Sequence, residues 1–214
     1  RQPNHRRTMK LIGHREFMSK MRASVVAIVG VALLSGCGSL VPKTPPDTYA
    51  LTGTPEVEGR ASPRRQILIA EPLALKALDS EQIVIKPTPS SIEYLADSQW
   101  SDRLPKIVQA KLVEAFENTN RLGGVGRPGE GLAIDYQIAT SIRAFEVRVQ
   151  GGRTAIVEIS AKVINDRNGT VRDQQVFRST SPVAGSDNSA YVEALDRAFD
   201  NVTADLVRWA LQRF

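Results

Sequence analysis

The stretch from Leu132 to Thr180 constrains the fold most. Leu132, Ile134, Tyr136, Ile138, Thr140 and Ile142 alternate with Asp135, Gln137, Ser141 and Arg143, a period of two that marks a half-buried strand. The phase slips near Ala144, after which Phe145, Val147 and Val149 hold the apolar positions, and this predicts a bulge. Gly151 and Gly152 turn the chain into a second strand, Thr154 to Ile164. A turn from Asp166 to Gly169 leads into a third, Val171 to Thr180. Three consecutive strands of this kind form an antiparallel meander with one face to bury.

Two amphipathic helices can cover that face. The first starts at Asp102 as N-cap, with Pro105 in its first turn where no hydrogen bond is lost, and runs to about Asn118. Leu104, Ile107, Val108, Leu112, Ala115 and Phe116 fall on one side of it. The second runs from about Ser189 to Leu211, with Val192, Leu195, Phe199, Val202, Leu206 and Trp209 spaced by three and four. Three heptads are few for a coiled coil, so docking on the sheet is expected. Shorter strands are predicted at Thr48 to Leu51, Gln66 to Glu71 and Gln82 to Lys86, with Ile92 to Leu95 returning as a hairpin partner and a turn over Asp97 to Ser101. The resulting class is α+β, a two-layer sandwich with a mixed, mostly antiparallel sheet and two helices packed on one face. Gly124, Gly126 and Gly129 match GxGxxG but follow a helix and include Pro128. They read as a loop and not as a dinucleotide site.

The N-terminal part carries a different signal. Lys20 and Arg22 precede a mostly apolar run from Ala23 to Leu34, followed by small residues, which is the order of a secretory leader. The run is short of the roughly 20 residues needed to cross a bilayer. It ends in Leu33-Leu34-Ser35-Gly36-Cys37, which resembles the lipobox of bacterial lipoproteins and contains the only cysteine. That resemblance implies a diacylglyceryl and N-acyl lipid on Cys37 and no other cofactor. Gly38, in place of an aspartate, implies sorting to the inner leaflet of the outer membrane, facing the periplasm. No methionine precedes Met9, and Met18 or Met21 is the more natural start. The expected organisation is upstream residues and signal peptide over 1–36, acylated Cys and Pro-rich stalk over 37–47, and one periplasmic domain over 48–214. Ten extended stalk residues would reach roughly 30 Å.

Removing residues 1–36 changes what composition implies. That leader holds seven of the 28 basic residues and one of the 23 acidic ones, leaving 21 against 22 and a net charge of −1. A chain without a basic field has no electrostatic case for nucleic acid. Both histidines, His5 and His14, also lie in the leader, so residues 37–214 have no imidazole for a catalytic triad or an ordinary zinc site. A non-enzymatic role is expected. Glu93, Asp97 and Asp102 are close enough in sequence to be weighed as paired carboxylates, although capping and a solvated turn account for them equally well.

Tyr94, Trp100 and Arg103 are the candidate partner contacts. Aromatics beside arginine are enriched at interfaces, while Trp100 could equally sit over the core. From the lipobox onward, the order of Tyr49 to Thr52, the strand ending at Pro87, Tyr94, Trp100 to Pro105, Phe145 and the helix ending near Trp209 resembles the ABC-type transport auxiliary lipoproteins, the family that includes paraquat-inducible protein C. The resemblance implies a docking subunit that meets an MCE-domain protein of an ABC lipid transporter, with association into a homo-oligomeric ring also open. A lipid-binding carrier with a pocket between helices and sheet, or a lipoprotein activator of envelope assembly, are the alternative functions.

Overall fold

The computed structural model describes residues 44–214; the leader, Cys37 and residues 38–43 of the stalk lie outside the described residues. The strands are β1 (Asp47–Tyr49), β2 (Ser62–Ile69), β3 (Leu73–Ala74), β4 (Gln82–Lys86), β5 (Glu93–Trp100), β6 (Leu122–Gly126), β7 (Tyr136–Arg148), β8 (Thr154–Asn165) and β9 (Val171–Pro182). The helices are α1 (Leu104–Asn118) and α2 (Asn188–Leu211).

The long strand β7 is the spine of the sheet. On one side it runs antiparallel to β8 from Tyr136 opposite Asn165 to Arg148 opposite Thr154, and β8 runs antiparallel to β9. The ladder slips by one residue between Ile142 and Ala144, where the sequence pattern changed phase. Gly151, Gly152 and Gly169 take positive φ in the two hairpin turns, a conformation glycine adopts without strain. The other edge of β7 is shared by three segments in succession, all parallel to it. β2 lies along Tyr136–Ile138, β3 along Ser141–Ile142 and β4 along Glu146–Arg148. Residues 62–86 thus behave as one interrupted edge strand, with residues 75–81 looping out between β3 and β4. β6 is added outside β2, β5 outside β4, and β1 outside β5.

Both helices cover the same face. Every apolar position expected on them is buried; α2 packs on β8, where Ala155, Val157, Ile159, Ala161 and Val163 are buried, and on β9, while α1 packs on β2, β6 and α2. At the centre the Trp100 indole meets the Phe145 ring edge to face at 5.7 Å, and Phe145 lies 5.8 Å from Phe199.

Several local expectations are corrected. The turn over Asp97 to Ser101 is mostly strand. β5 passes through Asp97 at φ 51° and continues to Trp100, whose N–H donates to Glu81 O at 2.7 Å. The N-cap of α1 is Arg103, not Asp102. The Leu104 N–H is satisfied by Ser80 O at 3.0 Å, so no side-chain cap is required there. The glycine-rich loop contains strand β6: a Cβ on Gly123 would stand 2.5 Å from Pro63 O, so the missing side chain is what admits the close approach to β2. The β7 strand begins at Tyr136, leaving Leu132 exposed ahead of it.

Candidate docking surface

The helix side of the molecule is sealed by the connection between β1 and β2. Leu51 and Val57 are buried there, and Thr52 donates to Asp196 through its N–H at 3.0 Å and its hydroxyl at 2.5 Å. Gly59 packs so closely that a Cβ would stand 2.5 Å from Leu211 Cδ1. Asp200 lies beneath the same segment, against Gly53. Its carboxyl is held above the usual range, first by burial and then by the charge of Asp196, with Lys111 opposing. A carboxylate that binds its proton more tightly folded than unfolded lowers stability as pH rises through that interval. Asp200→Asn keeps the shape and removes the charge. It is expected to raise the thermal midpoint by about 1–3 °C at pH 7, and the gain should disappear at a pH below the ordinary aspartate value of about 4. Melting curves at the two pH values check this.

The opposite face of the sheet is where side chains remain available. β7 places Gln137, Ala139, Ser141 and Arg143 on it, β8 places Glu158, Ser160 and Lys162, and β9 places Gln174, Val176 and Arg178. Its upper part, beyond the bulge, is closed. Glu146 is 6% exposed and accepts from Arg148 Nε at 2.9 Å, with Lys86 Nζ at 3.8 Å. Below the bulge the face is open and is bordered by Leu73 and Leu75, which are 73% and 79% exposed.

The three expected contact residues are not brought into one patch. Tyr94 is exposed on β5 opposite Val84, with Ile92 also exposed just before the strand. Trp100 is 1% exposed, so of its two readings the fold shows the core one. Arg103, at the start of α1, donates to Asp79 through Nε at 2.8 Å and to Glu71 through Nη2 at 3.1 Å. The Asp79 carboxylate, more than Glu71, holds this guanidinium even more firmly charged than usual. Its contacts thereby tie α1 to the segment joining β2 and β4. Glu93 and Asp97 are both exposed on β5, the solvated positions that the sequence also allowed. Asp102 accepts from the Arg103 N–H at 2.7 Å and pairs with Lys106. Among the described residues no group of three His, Cys, Asp or Glu side chains stands ready to hold a metal ion, and no helix is long and apolar enough to cross a membrane. Sequence reasoning missed Leu73, Leu75 and Val176; the Leu/Ala-rich stretch before Asp79 was a signal for the two leucines, and nothing local marked Val176.

Comparison with known proteins places this architecture. An uncharacterized protein of Bradyrhizobium diazoefficiens is 28% identical over 186 residues, covering 86% of this chain and 49% of the relative. The chain therefore spans about half the length of that curated relative. A crystal structure of a protein from Xanthomonas campestris superposes with a TM-score of 0.67 at 27% identity, over 78% of this chain and 95% of that one. A second solved structure, of an uncharacterized protein, shares the fold at 14% identity with a TM-score of 0.62, over 77% of this chain and 98% of its own. The model of the ABC-type transport auxiliary lipoprotein component matches residues 49–207, and the chain belongs to that family.

Proposed function

We propose that the protein is a docking subunit of an ABC-type lipid transport system of the MCE class, held by an acylated Cys37 in the inner leaflet of the outer membrane and facing the periplasm. The observation that carries this reading is an exposed sheet face edged by Leu73 and Leu75, in a chain whose family serves ABC transport. Large apolar side chains left outside a core mark interaction sites when they are grouped. The work is binding rather than catalysis, in keeping with the lack of histidine in residues 37–214. A ring of copies would present the same face repeatedly around one partner. The carrier alternative gains less support, because Trp100, Phe145 and Phe199 fill the helix–sheet interface where an acyl chain would have to lie.

The test is affinity capture of the full lipidated protein from crosslinked membranes, with proteins and lipids both read by mass spectrometry. Recovery of an MCE-domain protein together with its ABC transporter is the expected result. Recovery of lipid without either protein would replace docking by the carrier function.

A further inference from the structure

The open face has the form of a trough. Leu73 on β3 lies opposite Ser141 on β7, Ser141 opposite Ser160 on β8, and Ser160 opposite Val176 on β9. Residues directly opposite share a face, so this row reads apolar, small, small, apolar across four strands. Leu73 and Val176 are both exposed, at 73% and 44%, and they form two ridges above a floor of serines continued by Ala139. Three depressions of about 380, 270 and 210 Å³ run along this floor and meet around Ser141, Ser160, Arg143 and Lys162.

The dimensions choose the occupant. Neighbouring strands are about 4.8 Å apart, so the three steps from β3 to β9 set the ridges roughly 14 Å apart. An α-helix with its side chains is about 10–12 Å across. A single acyl chain would leave most of that width empty. The charge chooses its chemistry. Arg143 and Arg178 share one carboxylate, Glu158, at 3.9 and 3.2 Å, and among the described residues Lys162 has no acidic partner within 4 Å. The trough is therefore net cationic around Ser160, where Arg143, Arg178 and Lys162 face one acid, while Glu71, paired with Arg103, lines its other end. This chain cannot fill the trough from a second copy with the helices described, because the apolar faces of α1 and α2 are spent in its own core.

We infer that the trough between Leu73 and Val176 receives an amphipathic α-helix of a partner protein, with its apolar stripe on the Ala139, Ser141 and Ser160 floor and acidic residues toward Lys162 and Arg143. Such a helix would form a third layer, opposite α2, on a sheet now covered on one side. This inference deepens the docking reading and rests on it for the identity of the partner.

The experiment places the photocrosslinking residue p-benzoylphenylalanine at Gln174, on the rim of the trough, in the full chain in its native cells. Glu117, exposed on the helix side, takes the same residue as a control. Digested adducts are then sequenced. The expected adduct at Gln174 is a protein segment with apolar residues at helical spacing and acidic flanks, absent at Glu117. It should fall at least tenfold in the Leu73→Glu, Leu75→Glu double variant. Both leucines project into solvent, so the thermal midpoint of that variant should be unchanged. Lys162→Glu is a second variant on an exposed side chain, expected to weaken the adduct similarly. Adducts only with lipid, only with another copy of this chain or with a non-helical segment overturn the inference, as does no adduct at all or one indifferent to the variants. The two readings fail separately. A helix from a protein unrelated to transport leaves the trough standing and removes the transport role. Capture of transport components that survives Leu73→Glu, Leu75→Glu does the reverse.

Discussion

Replacing Trp100 by alanine is expected to destabilise the fold by about 3–5 kcal/mol, the range for truncating a buried aromatic, and to lower the thermal midpoint by roughly 6–20 °C. The indole is 1% exposed and sits edge-on to Phe145, which in turn touches Phe199 of α2. The cavity would thus open where sheet and helix meet. The position also holds backbone together: Trp100 pairs with Tyr49 of β1, and its N–H donates to Glu81 O. Neighbours pinned by those bonds have little freedom to collapse into the space. Trp100→Phe should retain part of the contact and cost about half as much or less. Thermal or urea unfolding of the three proteins checks the order. A wild-type midpoint in Trp100→Ala would show that the indole is not a core group. A loss of partner capture in this variant reports on folding first, so the trough variants at exposed positions are the cleaner probe of docking.

That shift in the meaning of Trp100 shows where sequence reading ends. The meander of β7 to β9, its bulge at Ala144 and both helices were legible because apolar spacing is a local signal, carried by six or more positions in β7 and in each helix, and because glycine turns delimit β8 and β9. The segments that were not legible owe their form to partners distant in the chain. β6 is glycine-rich and reads as a loop, yet it is a strand because β2 comes within 2.5 Å of where a Cβ would be. β3 has only two residues and no period to detect. β5 runs on through Asp97, Ser98 and Gln99, a polar stretch stabilised by the Asn188 side chain, which donates to Ala96 O at 2.9 Å and Ser98 Oγ at 2.7 Å. The docking surface was hidden for the same reason. Leu73, Ser141, Ser160 and Val176 are scattered over about half of the sequence, and only the register of four strands puts them in one row. Tyr94 reads from the sequence as an aromatic near arginine, and the structure leaves it exposed while it gives Arg103 two carboxylate partners of its own.

Replacing Cys37 by serine is expected to move the protein from the membrane pellet to the soluble periplasmic fraction, with at least a tenfold fall in the membrane-bound share. The argument is one of partitioning. Each buried methylene contributes about 0.8 kcal/mol, so one acyl chain binds only marginally while two or more hold a protein stably. A thiol that takes a diacylglyceryl group supplies at least two chains at one position, and serine has no sulfur to take it. Among the described residues, those forming the buried core begin at Leu51. The Cys37→Ser domain should therefore keep its thermal midpoint and present the trough as before. On the proposed docking role, its capture of a partner helix should persist in solution while transport across the envelope falls, because a subunit free to diffuse would no longer hold that partner at the membrane. Fractionation and melting curves together decide the matter. A Cys37→Ser protein that still pellets with membranes would mean that something other than the acyl chains anchors it; the apolar run from Ala23 to Leu34, retained if the leader is not removed, is the first place to look, and the open sheet face the second.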